Sequence, residues 1–140
     1  MKIRKAKVED WNTISLLLNQ LDYRDTETFI KERIGLLLNE PNEELLVYEE
    51  DERVIALISI HFIPQLALKG DFARISYFAV ESTIRSKGIG REIEEYCTDI
   101  AKKRNCDRIE VHCNSRRIDA HRFYKRQGFT ESPKYFVKML

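Results

Sequence analysis

The chain has 140 residues, a length that suits a single domain spanning 1–140, with a core that buries about two thirds of the unfolded surface. Hydrophobic residues at 43% and charged residues at 34% supply a core and a solvated surface, which excludes a disordered chain and a membrane-spanning one. Lys plus Arg (24) nearly cancels Asp plus Glu (23), so the chain lacks the basic excess of a nucleic-acid binder. Its local clusters, Arg85 to Arg91, Lys102 to Arg104 and Arg116 with Arg117, still suit a small polyanion.

The first element, Lys2 to Ala6, reads as a short strand. Glu9 to Leu21 carries Trp11, Ile14, Leu17, Leu18 and Leu21 at helical spacing, with Asp10 placed to meet the positive end of the helix dipole. Asp25 or Thr26 is expected to cap a second helix bearing Phe29, Ile30, Arg33, Leu36 and Leu37, closed by Pro41 and Asn42. Leu45 to Tyr48 and Val54 to Ile63 flank the turn-like E-E-D-E-R and read as a hairpin. After Pro64 and Lys69-Gly70-Asp71 comes Phe72 to Val80, a β-branched and aromatic strand.

At Gly88 the period changes from two to 3.6: Ile89, Ile93, Tyr96, Cys97, Ile100 and Ala101 share one face of a helix that runs to Arg104. Asp107 to Cys113 is a strand and Ser115 to Gln127 a helix closed by Gly128. Phe129 to Leu140 reads as two short strands split by Pro133. The expected class is α/β (α+β): a mixed sheet of six to seven strands flanked by about four helices, in the order β-α-α-β-β-β-α-β-α-β-β. The crossover around the Gly88 helix should join parallel strands.

Two stretches carry chemistry. Arg85-Ser86-Lys87-Gly88-Ile89-Gly90 lies between a strand and a helix, where glycines let the backbone approach a ligand and orphan amides favour an anion. Arg85, Lys87 and Arg91 would add charge, so a pyrophosphate suits the place. The spacing is neither G-x-x-x-x-G-K-[ST] nor G-x-G-x-x-G, which disfavours a nucleoside triphosphatase and a dinucleotide-binding fingerprint. The second stretch is A-H-R-F-Y-K-R-Q-G-F, from Ala120 to Phe129.

Together, R-x-x-G-x-G followed after one helix and one strand by A-H-R-F-Y-x-x-x-G-F resembles the GNAT superfamily of acetyl-CoA-dependent N-acetyltransferases. The element order is similar to that fold over nearly the whole chain. The resemblance implies that the strands Phe72 to Val80 and Asp107 to Cys113 splay apart and that the pantetheine arm lies between them. Phe78, Ala79 and Val80 would then bind the cofactor, with an amide near Val80 polarising the thioester carbonyl. Arg85, Ser86, Lys87, Gly88, Ile89, Gly90 and Arg91 would hold the pyrophosphate, and Phe123 would help to line the site. Tyr124 matches the family tyrosine that protonates the departing thiolate. A thiol of pKa about 8.5 leaves more readily when a phenol of pKa about 10 hydrogen-bonds to the developing charge.

The chain departs from the family twice. Arg117 stands where many members have an Asn that contacts CoA, and Asn114 lies too early to replace it. Arg74 to Val80 holds no carboxylate to serve as general base. An ammonium must lose a proton before it attacks the thioester, and His61, Ser76, Tyr77 and Glu81 are the candidates to take or relay it. In a strand of Ile and Leu, His61 would ordinarily be a packing residue. Cys113 beside the gap invites a nucleophile, but direct transfer needs no covalent step. His112 and His121 lack the spacing of a metal site.

The expected activity is transfer of acetyl from acetyl-CoA, or acyl from a longer acyl-CoA, to a small primary amine of the amino acid, polyamine, aminoalkylphosphonate or aminoglycoside-like class. The A-H-R-F-Y stretch looks most similar to the small-amine acetyltransferases. Asp22, Tyr23, Arg24 and Asp25, with the segment from Phe62 to Phe72, would face the acceptor, acids suiting an ammonium and Arg24 a carboxylate or phosphonate. The alternative is a non-catalytic acyl-CoA sensor or partner-binding module with the same fold. A homodimer through Tyr135, Phe136, Val137 and Met139 is expected. Three widely spaced cysteines and an N-terminus without an apolar run suit a cytoplasmic protein with nothing to cleave, and with neither nucleic acid nor membrane as a partner.

Overall fold

The computed structural model describes residues 2–85, 87–113, 117–131 and 136–140; Ser86, Asn114, Arg116, Pro133 and Tyr135 lie outside them. Among the described residues, five strands form one sheet in chain order, β1 (Ile3–Lys5), β2 (Glu43–Glu50), β3 (Arg53–Ile63), β4 (Phe72–Val80) and β5 (Arg108–Val111). The first three pairings are antiparallel and β4 pairs β5 in parallel, as the crossover requires. Four α-helices accompany them in the described residues: α1 (Trp11–Asn19), α2 (Ile30–Leu38), α3 (Ile89–Lys103) and α4 (Ile118–Arg126).

The hairpin turns at Asp51 and Glu52, both left-handed at φ 52° and 61°, the geometry that matches strand twist in a two-residue connection. β3 is buried on both faces because helices cover both, so Leu57 and Ile58 are each only 1% exposed although they point opposite ways. Ile14, Leu17, Leu18 and Ile34 of α1 and α2 pack on one face against Leu45, Val47 and Leu57. Ile89, Ile93, Cys97 and Ala101 of α3 pack on the other against Ile58, Ile60, Ala73 and Ile75.

The start of β5 is tied to the loop before β4. The Gly70 amide donates to Asp107 Oδ2 at 2.7 Å, and the Asp107 amide donates to the Asp71 carbonyl at 2.9 Å. A side chain at Gly70 would run into the Asn105 carbonyl, so the approach needs glycine.

Three expectations need correction. The sheet has five strands among the described residues, not six to seven. No strand forms in 129–131 or 136–140, where Phe136, Val137 and Met139 are 92%, 75% and 86% exposed and have no neighbouring strand to bury them. Asp25 does not cap α2: it sits at φ 61° before a 3₁₀ turn, Thr26–Thr28, and makes no side-chain cap bond. That turn delays the helix to Ile30, and the Thr26 hydroxyl is buried against that of Ser15 at 2.6 Å. Among the described residues, no helix is long and apolar enough to cross a membrane.

Asp10 precedes α1, accepts from the Lys7 amide at 2.8 Å and takes both ends of the Arg4 guanidinium at 2.9 and 3.0 Å. Burial alone would raise its carboxyl pKa, but the Arg4 hydrogen bonds and the Lys7 amide outweigh that and hold it below the ordinary value. A depressed carboxyl pKa adds stability above the unfolded-state value of about 3.9 and loses it as pH falls through the folded value. Asp10→Asn should therefore cost ~1 kcal/mol at pH 7, with the gap to wild type narrowing as pH falls below about 4 in urea titrations. A gap that stays equal would refute the assignment.

Candidate active site

β4 and β5 stay paired only from Phe72 with Arg108 to Ile75 with Val111. β5 then ends, whereas β4 continues to Val80. From Ser76 onward, one edge of β4 therefore presents backbone N–H and C=O groups to a gap instead of to a neighbouring strand.

The gap opens at a bulge. On β3, Ser59 faces Tyr77 and Ile60 faces Ile75, so Ser76 is the extra residue. The alternation of faces reverses there: Ala73 and Ile75 point toward α3, and after the bulge so do Phe78 and Val80. Tyr77 points to the α1–α2 face, where its ring meets Tyr23 edge-on at 5.2 Å.

On the α3 side, Phe78 meets Phe123 at 5.7 Å and Tyr124 at 6.5 Å, and Tyr124 meets Phe129 at 5.4 Å, all edge-to-face. Burial in this aromatic cluster pushes the Tyr124 phenol well above its usual pKa. Cys113 adds to the shift and the Arg117 cation partly offsets it. The phenol thus carries its proton at neutral pH, the form that can hydrogen-bond to a leaving sulfur.

Above the cluster, Gly88 takes φ 82° to start α3, a conformation that side chains rarely adopt. A Cβ at Gly90 would lie 3.3 Å from Phe123 Cε1 and 3.9 Å from Val80 Cγ2. Glycine there lets the first turn of α3 seat against the ring.

The other residues expected around the cofactor are placed as follows. Ile89 is buried in the core, so only its amide faces outward at the helix start. Arg85 turns back to the Val80 carbonyl at 3.2 Å, Arg91 pairs with Glu95 at 3.0 Å, and Lys87 is exposed. Ala79 is buried against the α1–α2 face, and Arg117 is exposed just before α4. Burial raises the Cys113 thiol and Arg117 partly offsets it, so the thiol is no ready nucleophile.

The opposite face of the gap holds a depression of about 330 Å³ lined by Tyr23, His61, Arg74, Ser76, Tyr77 and His112. A second hollow of about 330 Å³ shares Tyr23, His61 and Tyr77 with it and extends over α2 to Phe29 and Arg33. His61, Ser76 and Tyr77 thus come together in one depression. Glu81 does not: it lies past β4 and takes a hydrogen bond from Thr83. Arg24 pairs with Asp22 at 3.7 Å in the connection between α1 and α2.

Sequence reasoning passed over the charged row behind His61. Glu43, His61, Arg74 and Glu110 are successive partners across β2, β3, β4 and β5. Arg74 pairs with Glu110 at 2.8 Å, and His61 Nδ1 meets the Glu43 carboxylate. An acid at the start of β2 opposite a histidine in β3 was visible in principle, but only with the hairpin register known.

The family described as Acetyltransferase (GNAT) family matches residues 6–129. The chain is 27% identical over 144 residues to the aminoalkylphosphonate N-acetyltransferase of Salmonella typhimurium, covering 99% of this chain and 91% of that protein. A structure from Bacillus halodurans described as a transcriptional regulator superposes with a TM-score of 0.89 at 24% identity, over 99% of this chain and 98% of that one. Glucosamine-6-phosphate N-acetyltransferase of Arabidopsis thaliana does so with a TM-score of 0.84 at 23% identity, over 99% and 97%. At these identities, the two structures establish a shared fold.

Proposed function

Since this chain belongs to the acetyltransferase (GNAT) family and is an acyltransferase, we propose that it moves acetyl from acetyl-CoA to a small primary amine carrying an anionic group, such as an aminoalkylphosphonate. The observation that carries this reading is the gap past Ile75 and Val111, with an aromatic, tyrosine-bearing wall on one face and a polar depression lined by His61 and Arg74 on the other.

Acetyl-CoA fits the first face. The free edge of β4 at Phe78 and the Val80 amide offers hydrogen bonds to a pantetheine amide chain, while Ala79 between them bonds toward β3 and serves the site as spacing. The amides at Gly88, Ile89 and Gly90, with Lys87 and Arg91 nearby, offer an anion site for the pyrophosphate. Arg85 and Arg117 would flank it. Bound there, acetyl-CoA supplies an activated acyl carbon. Phe78, Phe123 and Phe129 exclude water around Tyr124, whose proton goes to the leaving sulfur.

The acceptor fits the second face. Arg33 and Arg74 contribute to its lining and, among the described residues, neither Asp nor Glu does; with Arg74 also paired to Glu110, Arg33 carries most of the preference for an acceptor with a negative group over a polyamine. The name of the Salmonella relative points the same way.

The test is thiol release from acetyl-CoA with 2-aminoethylphosphonate, glycine, spermidine and an aminoglycoside. Faster turnover of the phosphonate is expected. Preference for spermidine would overturn the acceptor class, and acetyl-CoA binding without thiol release from any amine would favour a sensor. The reading includes a homodimer that covers Phe136, Val137 and Met139, all exposed in a single chain. Sedimentation as a monomer at micromolar concentration would remove that element.

A further inference from the structure

We propose that His61, oriented by Glu43, is the proton acceptor for the incoming ammonium. This rests on the acetyl-transfer reading above and assigns the base that β4 itself does not carry.

The geometry comes from the register of the sheet. Glu43 stands directly opposite His61, and its carboxylate meets Nδ1. A carboxylate only accepts, so Nδ1 carries the hydrogen and the lone pair of Nε2 is left for another partner. The Glu43 side chain is 12% exposed, and its second oxygen, Oε2, is buried with no hydrogen-bond partner among the described residues. Held against Nδ1, this carboxylate is placed to stabilise the imidazolium that forms when Nε2 takes a proton. His61 is less enclosed, at 34% exposure, and lines both hollows where they join beside Tyr77 and Ser76.

The groups around it suit a base that rests neutral. Glu43 faces it from β2 and Arg74 from β4, Glu110 of β5 stands beyond Arg74, and Tyr77, His112, Tyr23 and Arg33 line the hollows it opens on. Burial, and then the Arg74 cation, hold the imidazole below its ordinary pKa, so it is unprotonated at pH 7. Glu110 occupies Arg74 at 2.8 Å. Tyr77 is the weaker candidate, since burial raises its phenol and keeps the proton on it.

In the step, the ammonium gives one proton to His61 Nε2 and the freed lone pair forms the C–N bond. The C–S bond breaks with its electrons on sulfur, which takes the Tyr124 proton. The second nitrogen proton returns to Tyr124 through solvent, the third stays on the amide, and His61 releases its proton to water.

The experiment measures kcat/KM for 2-aminoethylphosphonate with acetyl-CoA from pH 5 to 10 in wild type, His61→Gln and Glu43→Gln. Titration of the phosphonate is common to all three. Wild type should level off above the imidazole pKa. His61→Gln should lose roughly 10²-fold at pH 7 and then rise with pH toward the pKa of the amine, narrowing the loss. Its thermal shift with acetyl-CoA should be unchanged. Glu43→Gln should move the acid limb to lower pH, since removing the anion lowers the imidazole pKa, and this arm decides the matter if His61→Gln does not fold.

A His61→Gln profile parallel to wild type, or an unmoved limb in Glu43→Gln, overturns this inference alone. No turnover by wild type overturns the acceptor reading and this inference with it.

Discussion

Tyr124→Phe is expected to lower kcat by at least about 10²-fold while leaving the affinity for acetyl-CoA within a fewfold of wild type. The substitution removes one hydroxyl from a ring that packs against Phe78, Phe123 and Phe129, so the cluster keeps its shape. What is lost is the phenolic proton that hydrogen-bonds to the departing sulfur. Steady-state kinetics with a thiol-detecting reagent separates the two effects. A fall in kcat with KM for acetyl-CoA unchanged supports proton donation. A rise in KM alone would make Tyr124 a wall of the site and no acid.

Gly90→Val should abolish acetyl-CoA binding at concentrations that saturate the wild type. A Cβ at Gly90 already falls 3.3 Å and 3.5 Å from Phe123 Cε1 and Cζ, and a branched side chain adds atoms beyond it. Overpacking of this kind costs about 1–3 kcal/mol. It can be relieved only by moving the first turn of α3 or by tilting Phe123 off Phe78. The first course disturbs the amides proposed to hold the pyrophosphate, and the second opens the wall around Tyr124. Calorimetric titration of the folded variant checks this. Wild-type affinity would mean that the close approach at Gly90 serves packing alone.

Most of the fold is legible in the residues. The E-E-D-E-R turn between apolar runs places the β2–β3 hairpin, and the change of period at Gly88 places α3 and therefore the parallel β4–β5 pair. The aromatic wall is legible too, because Phe123 and Tyr124 follow from the A-H-R-F-Y stretch. The C-terminal strands are not. Val137 and Met139 have strand-like chemistry, but a strand also needs a partner edge, and no local pattern reports whether one is near.

The charged row was hidden for a more specific reason. Counting back from the Asp51–Glu52 turn puts Glu43 opposite Ile60. The bulge after Tyr48 leaves one extra residue, Ile55, in β3 and moves Glu43 opposite His61. The second bulge, at Ser76, likewise turns Tyr77 toward the acceptor side and Phe78 toward Tyr124. Each bulge inserts a single residue that no propensity marks, and together they determine which side chains face the gap.

The central claim is that the gap between β4 and β5 holds acetyl-CoA, and thermal unfolding with and without acetyl-CoA tests it most directly. At about 100 times its dissociation constant, the ligand should stabilise the native state by roughly 2.7 kcal/mol and raise the midpoint by about 5–10 °C. An unchanged midpoint at millimolar acetyl-CoA, in protein shown to be folded, would contradict the account.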